Sequence, residues 1–185
     1  MNLRAATASG YVRCMRIALA LLVLGFSAVP AHADDDTPKG EKGRPGEKGT
    51  LGVGIIVGEP TGICAKIYTR DDRAIQLAVG EAFISQGFQF DTDYVFHPWI
   101  LQDRDSFVLP AYIGPGIRVV DYAGGNNAPS HFAAGLRAVV GLVFDFKNVP
   151  LDAFIEAALI GEYDFGAGKG VGAAFNVGAG LRYYF

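Results

Sequence analysis

The chain has 185 residues, of which 16 are basic, 19 acidic and 25 Gly; half are hydrophobic, and only two are Cys. The length suits a single domain, and the Gly content argues against a helix bundle, because each Gly weakens a helix interior by about 1 kcal/mol relative to Ala. Two Cys exclude a disulfide-stapled scaffold, and the acidic balance excludes nucleic acid as an expected partner.

Residues 1–33 read as a secretory signal peptide. Arg4, Arg13 and Arg16 precede the apolar run from Ile17 to Phe26, and Ala31-His32-Ala33 supplies small residues for cleavage just before Asp34-Asp35-Asp36. A spanning helix needs about 20 apolar residues, more than this run provides. Cys14 precedes the run instead of ending it, which is the wrong place for a lipidated first residue. Cleavage after Ala33 removes three Arg and no acid, leaving 152 residues with 13 basic and 19 acidic groups and a formal charge of −6. Cys64 is then the only cysteine, so no intrachain disulfide is expected.

Residues 34–49 carry nine charges and no large apolar side chain, the composition of a flexible, solvated segment. Gly40, Gly43, Gly46 and Gly49 fall on a three-residue period with Pro45 between them. So few triplets cannot hold a collagen helix, and a spacer is the better reading.

From residue 50 to 185 short apolar-alternating runs are separated by turn residues, the pattern of repeated antiparallel strands. Eight runs are expected, at about 50–58, 62–70, 73–83, 88–101, 106–122, 131–146, 151–164 and 171–185. Their separators contain Gly, Pro, Asn or Asp, as chain reversals require. Successive side chains on a strand point to opposite faces. In the last run Phe175, Val177, Leu181, Tyr183 and Phe185 share one face, while Gly172, Asn176, Gly178, Gly180 and Arg182 share the other. The sixth run sets Phe132, Leu136, Val140 and Phe144 against Gly135, Arg137, Gly141 and Asp145, and the first and fourth runs repeat the division.

Two architectures fit this alternation. A soluble lipocalin-like barrel turns the apolar face inward, whereas a transmembrane barrel turns it toward lipid. Lys66, Lys147 and Lys169 are the only lysines in the 136 residues of this region. A face so poor in lysine and so rich in Gly and Ala suits the narrow axis of an eight-stranded barrel better than a wet surface. The expected fold is therefore an all-β, eight-stranded antiparallel up-and-down transmembrane β-barrel. Lys66, Arg118, Arg137 and Arg182 share the inward parity with Asp91, Asp93, Asp145 and Glu156, four of each sign, and are expected to form an interior charge network. Glu81 has outward parity and must lie at the membrane edge or past a bulge. Pro110 and Pro115 fall inside the fifth run, which points to a later start of that strand.

The C-terminal Tyr183-Tyr184-Phe185, with Leu181 and Phe175 on the same alternation, resembles the assembly signal of small bacterial outer-membrane β-barrels of the OmpX and OmpA type. The resemblance implies a periplasmic N-terminus, export, recognition by the barrel-assembly machinery and residence among outer-membrane lipids. It implies no particular function, since one fold hosts many. Some barrels of this kind are lipid A acyl hydrolases or transferases, which makes Ser130 and His131 a candidate nucleophile and base. Adjacent strand residues point to opposite faces, so a non-enzymatic structural or envelope-interaction role is the primary expectation. Asp91-Thr92-Asp93 sets two carboxylates on one face, and inward Arg residues make ion pairing their expected use. Gly166-Ala167-Gly168-Lys169-Gly170 has part of a phosphate loop but lacks the following Ser or Thr. Neither a metal-ligand cluster nor a nucleotide fingerprint is visible, so no metal or cofactor is expected.

Overall fold

The computed structural model describes residues 49–82, 87–122, 130–166 and 170–185. The expected signal peptide and all but the last residue of the charged segment lie outside these, as do residues 167–169 of the glycine-rich turn. Among the described residues there are eight strands and no helix: β1 (Leu51–Gly58), β2 (Thr61–Arg70), β3 (Arg73–Ala82), β4 (Gly87–Asp103), β5 (Phe107–Tyr122), β6 (His131–Phe146), β7 (Leu151–Asp164) and β8 (Gly170–Tyr184). Each pairs antiparallel with the next, and β1 pairs with β8, so the strands close into a ring.

Strands step along as well as around. From Gly54, successive partners run through Cys64, Ala78, Asp91, Arg118, Gly135 and Glu162 to Gly172, whereas Gly54 itself pairs with Arg182. One circuit therefore displaces the register by ten residues along β8, the stagger that tilts strands in a closed sheet. The end of the ring that carries Leu51 and Tyr184 is called the lower end below, and the end with the β1–β2 turn the upper.

Side-chain parity sorts the ring as the sequence pattern does. Ile55, Ile63, Ile117, Leu136, Leu159 and Val177 are exposed on the outside, Leu136 by 74%. Lys66, Asp91, Arg118, Arg137, Asp152 and Arg182 are buried on the inside. The interior is narrow enough that glycine size matters. A Cβ on Gly52 would lie 2.7 Å from Tyr184 Cζ, and one on Gly180 would lie 2.6 Å from Phe154 Cε1. At both places the inner face sets a large aromatic side chain against a glycine on the facing strand.

The fifth strand does not start late. It begins at Phe107 and contains both prolines. β4 absorbs the irregularity by carrying extra residues, with register shifts between Phe96 and Trp99 and between Ile100 and Gln102. Pro110 stands opposite Ile100 at the second shift, and the β4 partners skip Gly114 and Pro115. The missing proline N–H groups therefore fall where the ladder is already interrupted. The same bulges lengthen β4 to Asp103, beyond the 101 expected. Glu81 is the second-last residue of β3 and exposed, so its outward parity falls at the strand's upper end.

Candidate functional site

Most of the interior charges form three groups, the first two linked through Gln76. Arg137 on β6 is the centre of the first. Its Nη1 donates to Asp91 Oδ2 and its Nη2 donates to Glu156 Oε1 at 3.2 Å. Its Nε lies 2.8 Å from Asp93 Oδ1, an ion contact without hydrogen-bond alignment. Asp91 and Asp93 face the same way because they are two apart on β4, and Gly116, which is paired with both Asp93 and Arg137, leaves room between them. Glu156 also accepts from Tyr112 Oη at 2.6 Å and from Gln76 Nε2 at 3.4 Å. One planar guanidinium thus meets three carboxylates from β4 and β7, a use that suits Arg and not Lys.

Gln76 links this group to the second, since its Oε1 accepts from Arg182 Nη1 at 3.1 Å. Arg182 Nε donates to Asp152 Oδ1 at 3.0 Å, and Tyr184 Oη donates to Asp152 Oδ2 at 2.6 Å. The guanidinium lies 4.0 Å from the Phe154 ring centroid. Asp145 is buried opposite Asp152 in the register. At the upper end the third group joins Arg118 Nη1 to Glu162 Oε2 at 3.1 Å and Tyr122 Oη to Glu162 Oε1 at 2.9 Å.

Lys66 takes a different partner. Its Nζ is 2.8 Å from His97 Nε2 and 5.0 Å from the ring centroids of both Tyr68 and Tyr112. His97 is fixed from the lower turn, where its backbone N–H donates to Asp72 O at 2.8 Å. A buried ammonium held by an imidazole and two aromatic faces is a cation–π arrangement.

All eight residues expected inside are buried, four of each sign, but they are not the whole of the buried charge. Among the described residues six acids are buried, Glu59, Asp91, Asp93, Asp145, Asp152 and Glu156, against four bases. The sequence reading omitted Asp152 and Glu162, although both share the parity of Glu156 along β7. It also omitted the tyrosine and amide partners that spread the carboxylate charge. A cavity of about 10 Å³, lined by Cys64, Gln76, Asp93, Glu156 and Arg182 among others, has room for about one water molecule. Side chains fill the surrounding interior.

Ser130 and His131 are not brought together as a nucleophile and base. His131 is the first residue of β6 and faces inward. Its Nε2 lies 3.3 Å from Asp164 Oδ2, and its ring stacks on Tyr122 at 4.8 Å. Ser130 precedes the strand and is exposed.

The outer surface carries the other notable pattern. Toward the upper end Phe88, Phe132, Tyr163 and Phe165 are exposed, with Phe132 and Phe165 ring centroids 5.8 Å apart. Toward the lower end Trp99, Phe144, Phe146, Tyr183 and Phe185 are exposed. Mainly aliphatic side chains, with Phe175 among them, occupy the zone between. Of the residues read as an assembly signal, Phe175, Leu181, Tyr183 and Phe185 all lie on this outer surface. Among the described residues no group of His, Cys, Asp and Glu has the arrangement of a metal site. No family model, curated protein or solved structure matches the chain.

Proposed function

We propose that this chain is an integral outer-membrane β-barrel with a sealed, salt-bridged interior and a structural or envelope-interaction role. The observation that carries the reading is its inverted polarity: large aliphatic side chains are exposed around the outside, and the charges are buried within. A soluble fold with this much contiguous exposed apolar surface would aggregate. Lipid is the solvent that such a surface fits.

Exposed aromatics near the upper end of β4, β6 and β7 and near the lower end of β4, β6 and β8 bound the mainly aliphatic zone, where interfacial aromatics sit in a membrane barrel. The closed ring leaves β1 to β8 without the open edge that hydrocarbon would penalise along the shared part of their seam. The expected signal peptide and the C-terminal aromatic alternation supply the route, through export and the barrel-assembly machinery. The filled interior argues against a general diffusion pore.

The test is fractionation with a folding readout. The protein should stay with outer membranes through carbonate extraction and should migrate differently on a denaturing gel before and after boiling. Release by carbonate together with unchanged mobility would overturn the reading.

A further inference from the structure

Three small inward residues stand side by side on neighbouring strands: Gly54 pairs with Cys64, and Cys64 pairs with Ala78. Interiors are close-packed, so a row without bulk among large polar side chains leaves a void unless a neighbour leans in. The cavity of about 10 Å³ lies against this row. Cys64 and Ala78 form part of its wall, and Gln76, Asp93, Glu156 and Arg182 contribute the polar part. Every residue of the wall belongs to a strand of the ring.

Two of these polar side chains have hydrogen-bonding capacity left over. Arg182 is 2% exposed; its Nε donates to Asp152 Oδ1 and its Nη1 to Gln76 Oε1, while among the described residues nothing accepts from Nη2. The Phe154 ring, 4.0 Å away, holds the guanidinium plane, so Nη2 cannot turn elsewhere without losing that contact. Asp93 is 4% exposed, and its Oδ1 meets Arg137 Nε without hydrogen-bond alignment. Buried donors and acceptors left unmade are costly, and a molecule in the cavity that serves both removes that cost.

The wall also selects its occupant. An anion would face Asp93 and Glu156, and a cation would face the Arg182 guanidinium. An apolar group would satisfy neither. Water accepts from one side and donates to the other, and a cavity of about 10–15 Å³ on this measure holds one molecule. We propose that this cavity is a binding site for one structural water, which accepts from Arg182 Nη2 and donates to the carboxylates of Asp93 and Glu156. The water joins the Arg137 group to the Arg182 group beside Gln76, so the interior network runs through bound solvent as well as through an amide. The site is the same whether lipid or water surrounds the ring, and it does not rest on the outer-membrane reading.

The test is diffraction from crystals of the folded protein grown with potassium chloride as the only salt, recorded at a long wavelength where potassium, chloride and sulfur all scatter anomalously. Expected is one ordered peak in the cavity, within hydrogen-bond distance of Arg182 Nη2 and of Asp93 or Glu156, with no anomalous signal. The Cys64 sulfur in the cavity wall supplies the internal reference. An anomalous peak in the cavity would identify an ion and overturn the water, and so would a cavity without density. Cys64→Val replaces one sulfur by two methyl groups and should displace the peak while Arg182 keeps Asp152; a peak that persists would overturn the site. In solution, oxygen-17 relaxation dispersion should count one long-lived water more in the unsubstituted protein than in Cys64→Val, and equal counts would overturn the proposal. Should Cys64→Val fail to fold, Ala78→Val fills the same row from the neighbouring strand and is read in the same two ways.

Discussion

Arg182 and Asp152 face each other across the β7–β8 pair, with Nε and Oδ1 3.0 Å apart and both side chains about 1% exposed. Gly54, the partner of Arg182 on the other side, allows close approach of the two backbones, since a Cβ there would fall against Leu181 O and Arg182 Cα. Removing one member strands the other charge in a dry interior. Arg182→Met should destabilise the folded protein by about 3–5 kcal/mol, and Arg182→Met with Asp152→Leu should recover much of the loss. Urea titration of the folded protein in lipid or detergent measures both. Equal loss in the single and double variants would show that the pair does not act as a unit.

Arg137 offers a sharper test of geometry, because three carboxylates converge on one planar group. Arg137→Lys keeps the charge but replaces the fork with a single ammonium that cannot reach Asp91, Asp93 and Glu156 together. It should be clearly destabilising, by at least about 1 kcal/mol, while Arg137→Met should approach the cost of breaking a buried pair, about 3–5 kcal/mol. Stability of Arg137→Lys within a few tenths of a kcal/mol of wild type would reduce the cluster to simple charge balance.

Small residues on the inner wall are a matter of volume, and this too can be measured. All three nearest neighbours of a Cβ on Gly52 belong to the Tyr184 ring, the closest at 2.7 Å. Gly52→Ala should therefore overpack the interior by about 1–3 kcal/mol. In the Tyr184→Ala background the same substitution should cost much less, a coupling that a double-mutant cycle isolates. An additive cycle would show that Gly52 is needed for its backbone and not for space.

Strand count, order and facing were legible in the sequence because period-two alternation is a local property, written within each run. The balance of interior charge was less so. Asp152 and Glu162 shared the parity of Glu156, but nothing local marks which inward acid lies at the level of which base. That depends on the ten-residue stagger of the ring. Pro110 misled for a related reason: its tolerance lies in a bulge on β4, a strand paired to it through space, while Pro115 falls where the ladder to β4 is interrupted without a register shift. The pairing of His131 with Asp164 joins the start of β6 to the end of β7, and neither residue signals the other along the chain.

The direction of the apolar face remains the deciding physical quantity, and one outward position separates a lipid-facing barrel from a water-facing one. Leu159 lies midway along β7, 66% exposed, between Ala138 of β6 and Phe175 of β8. In water, an exposed Leu→Arg substitution is nearly neutral, typically within about 0.5 kcal/mol. In a bilayer, Arg near the midplane costs about 2–4 kcal/mol, with the cost falling toward the interfaces. Leu159→Arg should therefore destabilise the protein strongly in vesicles, whereas Val171→Arg, beside Tyr163 near the upper end, should cost no more than about 1 kcal/mol. Equilibrium unfolding in phospholipid vesicles measures both. Near-neutral Leu159→Arg would instead support a soluble periplasmic barrel.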